Sequence, residues 1–138
     1  MEISARLDNR PGEHSAVVST DQRNQTVAIA PRPDGYGSSL NGGELLCLAL
    51  ATCYCNDLYR EARKREMKIA RVQVEVRSRF EGEGTPAREI RYSAMVEADA
   101  LREAILELIA HTDTVAEIQN TLRSGMPVRL SACEARPL

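Results

Sequence analysis

Residues 44–66, ELLCLALATCYCNDLYREARKRE, begin almost wholly apolar and end almost wholly charged. From Leu45 to Cys55 the only side chains with a hydroxyl are Thr52 and Tyr54. The spacing predicts a helix over about 43–67, opening after Asn41-Gly42-Gly43 with Glu44 near its positive N-terminal end. Nearly every face of its first half is apolar, and a helix without a wet stripe is normally enclosed on all sides. A single domain of 138 residues with one sheet covers only one side of it. The other side needs another chain, and a homodimer is the simplest supply. The apolar run of 11 positions is too short to cross a bilayer.

The segments around this helix read as an α+β domain spanning residues 1–138. Residues 2–8, 14–20 and 24–30 are expected as three short strands joined by the turn-forming DNRPG and TDQRN. Residues 31–43, PRPDGYGSSLNGG, hold two Pro and four Gly and are expected as a loop. In RVQVEVRSRF, Val72, Val74 and Val76 share a face against Gln73, Glu75 and Arg77. In EIRYSAMVEA, Ile90, Tyr92, Ala94 and Val96 do the same. EGEGTPA links them as a hairpin, each strand having one wet face. Residues 99–111 show helical spacing of Leu101, Ile105, Leu108 and Ile109. A second helix is expected to restart at Thr114, with Glu117 completing a capping box and Gly125 ending it. PVRLSACEA is expected as a closing strand.

A net charge of −2 argues against nucleic-acid binding, which requires a basic surface for phosphate. The cluster Arg60, Arg63, Lys64 and Arg65 is broken by Glu61 and Glu66 and reads as a solvated helix end. MEISARLDNR has no apolar h-region, so a cytoplasmic location is expected, with reduced cysteines and no membrane role. Aromatic residues are only 4%, so the core must be aliphatic.

No GxGxxG, P-loop or GxSxG pattern is present, and no cofactor is expected. His14 and His111 have no ligand spacing, while Cys53 and Cys55 diverge by about 200° on a helix, so no metal site is expected. A nucleophilic thiol is the remaining chemistry. The competing reading is that Cys47, Cys53 and Cys55 are small core residues, because free cysteine is among the most buried residue types.

The segment NGGELLCLALATCYCNDL resembles the central-helix signature of the OsmC/Ohr family, the osmotically inducible and organic hydroperoxide resistance proteins. In that signature a Pro- or Gly-containing loop leads into Glu-Leu-Leu, small apolar residues, a Cys and an aromatic. The order of elements is similar as well. The resemblance implies antiparallel sheets around a long buried helix, in an intertwined homodimer. It also implies reduction of organic hydroperoxides by paired cysteines assisted by an Arg and a Glu. Cys53, before Tyr54, matches the peroxidatic cysteine. Glu44 matches the glutamate of one branch, and Arg10 is the nearest candidate for the arginine. The family's second cysteine, in a Cys-Pro pair, aligns with Ala116-Glu117 and is missing.

Two functions follow from the resemblance. One is thiol-dependent hydroperoxide reduction by Cys53, assisted by Arg10 and Glu44 and recycled by an external thiol reductant. The other is a non-catalytic dimer that binds a small apolar ligand at the subunit interface. On a straight helix Glu44 and Cys53 lie about 13.5 Å apart along the axis and on opposite sides. The resemblance therefore implies a site completed by the second subunit.

Overall fold

Three antiparallel strands open the chain, β1 (Ile3–Arg10), β2 (Glu13–Thr20) and β3 (Arg23–Val27). The structure, a computed structural model, describes residues 1–138 as two compact units, Met1–Leu46 and Cys47–Leu138. The β1–β2 turn uses Gly12 at φ +78°, where an L side chain is disfavoured. The Gly12 N–H donates to the Gly35 carbonyl at 3.1 Å. A Cβ on Gly35 would stand 2.8 Å from the Gly12 nitrogen, so this loop contact requires glycine.

The register places Ala5 opposite Val18 and puts Ala16 between Leu7 and Val27. Paired residues share a face, so Ile3, Ala5, Leu7, Ala16, Val18 and Val27 form one apolar surface. Of these only Ala16 is buried, while Ile3 is 65% and Leu7 59% exposed. One chain leaves this face uncovered.

The loop that follows makes a single isolated bridge, Pro31 to Ser38. The long helix, α1 (Gly42–Lys64), starts within about a residue of its sequence-based bound. Asn41 is its N-cap: Asn41 Oδ1 accepts the Glu44 N–H at 2.8 Å, and Glu44 Oε2 accepts the Asn41 N–H at 3.0 Å. This reciprocal pair satisfies two helix-end donors. At the other end Glu66 takes φ +54°. The Met67 N–H reaches the Ala62 carbonyl at 2.9 Å and the Glu66 N–H reaches that of Arg63 at 3.1 Å, a Schellman ending.

In the second unit β4 (Ile69–Arg79) and β5 (Glu89–Ala98) form a hairpin with Val72 opposite Val96, Val74 opposite Ala94 and Val76 opposite Tyr92. The alternation read from the sequence decides this register. Its apolar face helps cover a core of Tyr54, Leu58, Ala62, Leu108 and Ala116, joined by Met67 and Ile109. Thus one stripe of α1 is buried, at Leu50, Tyr54, Leu58 and Ala62. The all-round enclosure expected for its apolar first half is incomplete, since Leu50 and Tyr54 are buried while Leu48 is 58% exposed.

Two further helices complete the unit, α2 (Arg102–Val115) and α3 (Glu117–Arg123), separated by Ala116 in an extended conformation. The expected Thr114–Glu117 capping box does not form. Thr114 belongs to the last turn of α2, its Oγ1 donating to the His111 carbonyl at 2.7 Å, and α3 has no side-chain cap. The expected closing strand is also absent, because residues 126–138 form neither helix nor strand. A strand exists by pairing, and here Val128 and Leu130 are 98% and 86% exposed with no edge beside them. No helix is long and apolar enough to cross a membrane.

Candidate functional site

Cys53 is a half-buried free thiol on α1. One turn later on the same helix face stands Asp57, and one turn beyond that Arg60. The Cys53 thiol donates to Asp57 Oδ2 at 3.4 Å. From the first turn of α3, Glu117 brings its Oε2 to 3.9 Å from the same sulfur. Burial of Ala116 in the core and a hydrogen bond from buried Gln119 Nε2 to the Leu50 carbonyl at 3.1 Å pin α3 against α1. The thiol therefore faces two carboxyl groups delivered by separate helices.

Arg60 organises both carboxyl groups from behind. Its Nη1 donates to Asp57 Oδ1 at 2.7 Å and to Glu117 Oε1 at 2.9 Å. Its Nε donates to Glu61 Oε1 at 3.0 Å. Each of Asp57 and Glu117 thus turns one oxygen to the guanidinium and the other to the sulfur. The Cys53, Asp57 and Glu117 donor atoms lie within 4.8 Å of one another, the span of a metal-ligand set. Arg60 already supplies the neutralising cation there, and the arrangement is an ion-pair cluster.

The electrostatics follow from this placement. Burial pushes the Cys53 thiol above its usual range, and the negative charges of Asp57 and Glu117 add to that, against a lowering hydrogen bond from the Ile118 backbone. Burial also raises Asp57, and its hydrogen bond with Glu117 raises it further, against the influence of Arg60. Glu117 is lowered, first by a backbone N–H at the start of α3 and then by Asp57 and Arg60. Burial thus sets Asp57 above, and the start of α3 sets Glu117 below, the ordinary carboxylate range.

The other residues read from the sequence lie elsewhere. Arg10 ends β1, exposed, with Asp8 as its ionic partner at 3.9 Å. Glu44 serves the α1 cap. Both belong to the unit Met1–Leu46, whereas Cys53 belongs to the other. Cys47 contacts Ser78 Oγ at 3.2 Å, and Cys133 is exposed. Sequence reasoning missed Asp57, Arg60 and Glu117. The spacing of Cys53, Asp57 and Arg60 was readable as one helical face, but nothing local announces that Glu117 joins them.

The sequence pattern of the OsmC-like protein family matches residues 35–131, and the chain belongs to that family. Solved structures agree on the fold. An OsmC-like protein from Mycoplasma pneumoniae is 21% identical over 88% of this chain and 86% of its own, with a TM-score of 0.60. An organic hydroperoxide resistance protein from Elizabethkingia anophelis is 17% identical over 89% of each chain, also with a TM-score of 0.60. A further organic hydroperoxide resistance protein, OsmC of Legionella pneumophila, is 16% identical over 89% of this chain and 90% of its own, with a TM-score of 0.52. Among proteins of curated function, none matches this sequence.

Proposed function

We propose that this OsmC-like protein reduces organic hydroperoxides with a single thiol, Cys53. The observation that carries the reading is the position of that thiol. It is half-buried and faces two carboxyl groups held by one guanidinium, and its sequence context resembles that of the family's peroxidatic cysteine. The sulfur attacks the distal oxygen of the peroxide, the O–O bond breaks, and a sulfenic acid and an alcohol result. By the sequence resemblance, buried Ala116 takes the position of the family's second cysteine, so in this reading the sulfenic acid passes to an external thiol. One thiol condenses with it, releasing water, and a second releases the mixed disulfide and restores Cys53.

The working unit in this reading is a homodimer. The uncovered face of β1–β3, the side of α1 that bears Leu48, and the unpaired residues 126–138 are three surfaces that a second copy would cover. Arg10 and Glu44 keep their proposed assisting roles only in such a dimer, by approaching the Cys53 of the other subunit.

A second reading is a non-catalytic protein that binds a small apolar ligand. It is favoured by a cavity of about 240 Å³ lined by Leu50, Ile90, Tyr92, Gln119, Leu122 and Arg123. Hydroperoxide consumption separates the two. Reduced protein should consume one equivalent of cumene hydroperoxide without added thiol, and Cys53→Ser should consume none. Equal, negligible consumption by both proteins would leave only ligand binding.

A further inference from the structure

The proposed chemistry leaves one proton to be moved. A thiol must lose its proton to attack, and the alkoxide that departs must gain one. Asp57 Oδ2 is the acceptor that the Cys53 thiol already meets, at 3.4 Å, while Arg60 holds the opposite oxygen of the same carboxyl at 2.7 Å. No lysine or arginine touches the sulfur: the one guanidinium in the cluster is spent on Asp57, Glu117 and Glu61. Within one chain the group that meets the thiol is thus a carboxylate, and any cation that reaches the sulfur comes from the other subunit.

We propose that Asp57 is a catalytic proton carrier for Cys53, with Glu117 and Arg60 as the residues that position and tune it. This inference rests on the hydroperoxide reading above. As the Sγ–O bond forms and the O–O bond breaks, Asp57 Oδ2 takes the thiol proton and then delivers it to the leaving alkoxide oxygen. The hydroxyl proton of the peroxide stays on the oxygen that is transferred. The sum is a thiol plus a hydroperoxide giving a sulfenic acid plus an alcohol. Sulfur loses two electrons, the peroxide oxygens gain them, and Asp57 ends as it began.

The surroundings suit a group that must both accept and donate. The titratable or charged groups facing Asp57 are Cys53 and Arg60 from α1 and Glu117 from α3. Asp57 is itself 4% exposed, whereas the Glu117 side chain is 63% exposed. Burial and the neighbouring Glu117 raise Asp57 above the ordinary carboxylate range, against the lowering influence of Cys53 and Arg60, so it holds a proton more readily than a solvated carboxylate.

Two pH profiles test the assignment, one for alkylation of Cys53 by iodoacetamide and one for reduction of cumene hydroperoxide. Both are measured on the wild type, Asp57→Asn, Asp57→Glu and Glu117→Gln. Asp57→Asn removes a negative charge beside the sulfur, so its alkylation profile should move to lower pH. The same variant should reduce peroxide about a hundredfold more slowly at neutral pH, the scale of a lost general acid–base group. Asp57→Glu should recover part of that rate. Glu117→Gln alters a solvated side chain, and should move the limb of the peroxide profile that reports Asp57 to lower pH. A purely repelling carboxylate would make Asp57→Asn faster in both reactions, which overturns the proposal. An unchanged peroxide rate in Asp57→Asn, or an unmoved limb in Glu117→Gln, overturns it too, while the activity itself stands. A wild type that consumes no hydroperoxide overturns the activity, and this step with it.

Discussion

Asn41 and Glu44 cap α1 reciprocally, each side chain accepting the other's backbone N–H, at 2.8 and 3.0 Å. Glu44 therefore has a structural task in one chain, apart from any assistance to a thiol. The two tasks separate by substitution. Glu44→Gln keeps an acceptor at the same position and should leave the melting temperature nearly unchanged. Glu44→Ala should cost about 1 kcal/mol, as loss of a cap does. If Glu44 also serves Cys53 across a dimer, Glu44→Gln will slow peroxide reduction without loss of stability. Equal activity in wild type and Glu44→Gln would assign the residue to the cap alone.

The apolar face of β1–β3 argues for a second copy in similarly local terms. Ile3, Leu7, Val18 and Val27 stand on one side of the sheet and are at least one third exposed. Fully burying an exposed side chain of this kind is worth about 1.5–3 kcal/mol, and the part still open here contributes in proportion. Sedimentation should show a dimer at micromolar concentration, and Leu7→Asp should shift it toward monomer or aggregate. A wild-type protein that sediments as a folded monomer would remove the homodimer.

The fold was legible where local chemistry and periodicity agree. Asn41-Gly42-Gly43 marked the start of α1, and the alternation of Val72, Val74 and Val76 against Tyr92, Ala94 and Val96 gave the hairpin its faces. Two readings failed for one physical reason, that a local pattern does not know its neighbours. Thr114 and Glu117 have capping-box spacing, yet α2 runs on to Val115 and consumes the threonine. PVRLSACEA has strand composition but no edge to pair with in this chain. The site was half legible. Cys53 stood out, and Asp57 and Arg60 follow it at helical spacing. Glu117 reaches the sulfur through the packing of α3 on α1, which Ala116 and Gln119 set and no motif encodes.

Glu66 ends α1 in the left-handed region at φ +54°, a position that usually falls to glycine. An L side chain there costs about 1–2 kcal/mol relative to glycine, partly offset by glycine's greater freedom in the unfolded chain. Glu66→Gly should therefore stabilise the protein by about 1 kcal/mol, read as a higher midpoint in urea at unchanged slope. A lower midpoint would show that the Glu66 side chain contributes more than its backbone costs.

Glu61 should make the protein sensitive to acid. Its carboxylate accepts Lys64 Nζ at 2.8 Å and Arg60 Nε at 3.0 Å, with His111 Nε2 at 3.3 Å. The hydrogen bonds from Lys64 and Arg60 hold it down to about 2, against an ordinary 4.5. A carboxylate lowered by folding stabilises the native state above its unfolded pKa, and loses that contribution as pH falls through the folded value. Between about pH 4.5 and 2, wild-type stability should fall more steeply than that of Glu61→Gln. Parallel curves across this window would show that another carboxylate governs acid unfolding.

The fate of oxidised Cys53 follows from what lies near it. Its neighbours are Asp57 and Glu117, and no other thiol is among them. Cys55 is two residues away on the same helix and points about 200° around it, Cys47 lies against Ser78, and Cys133 is exposed in the C-terminal segment. A disulfide needs its two Cα atoms within about 7 Å and their Cβ atoms directed together, which Cys53 and Cys55 on one helix do not satisfy. One equivalent of hydroperoxide should therefore leave a sulfenic acid that dimedone traps at Cys53, and excess peroxide should carry it to the sulfinic and sulfonic acids. Added dithiothreitol should restore the thiol after the first treatment and fail after the second. Non-reducing mass spectrometry should find no bridge within the chain. A quantitative bridge from Cys53 to Cys47 or Cys133 would reveal a resolving thiol after all, and would replace the external reductant in the cycle with a movement of the chain.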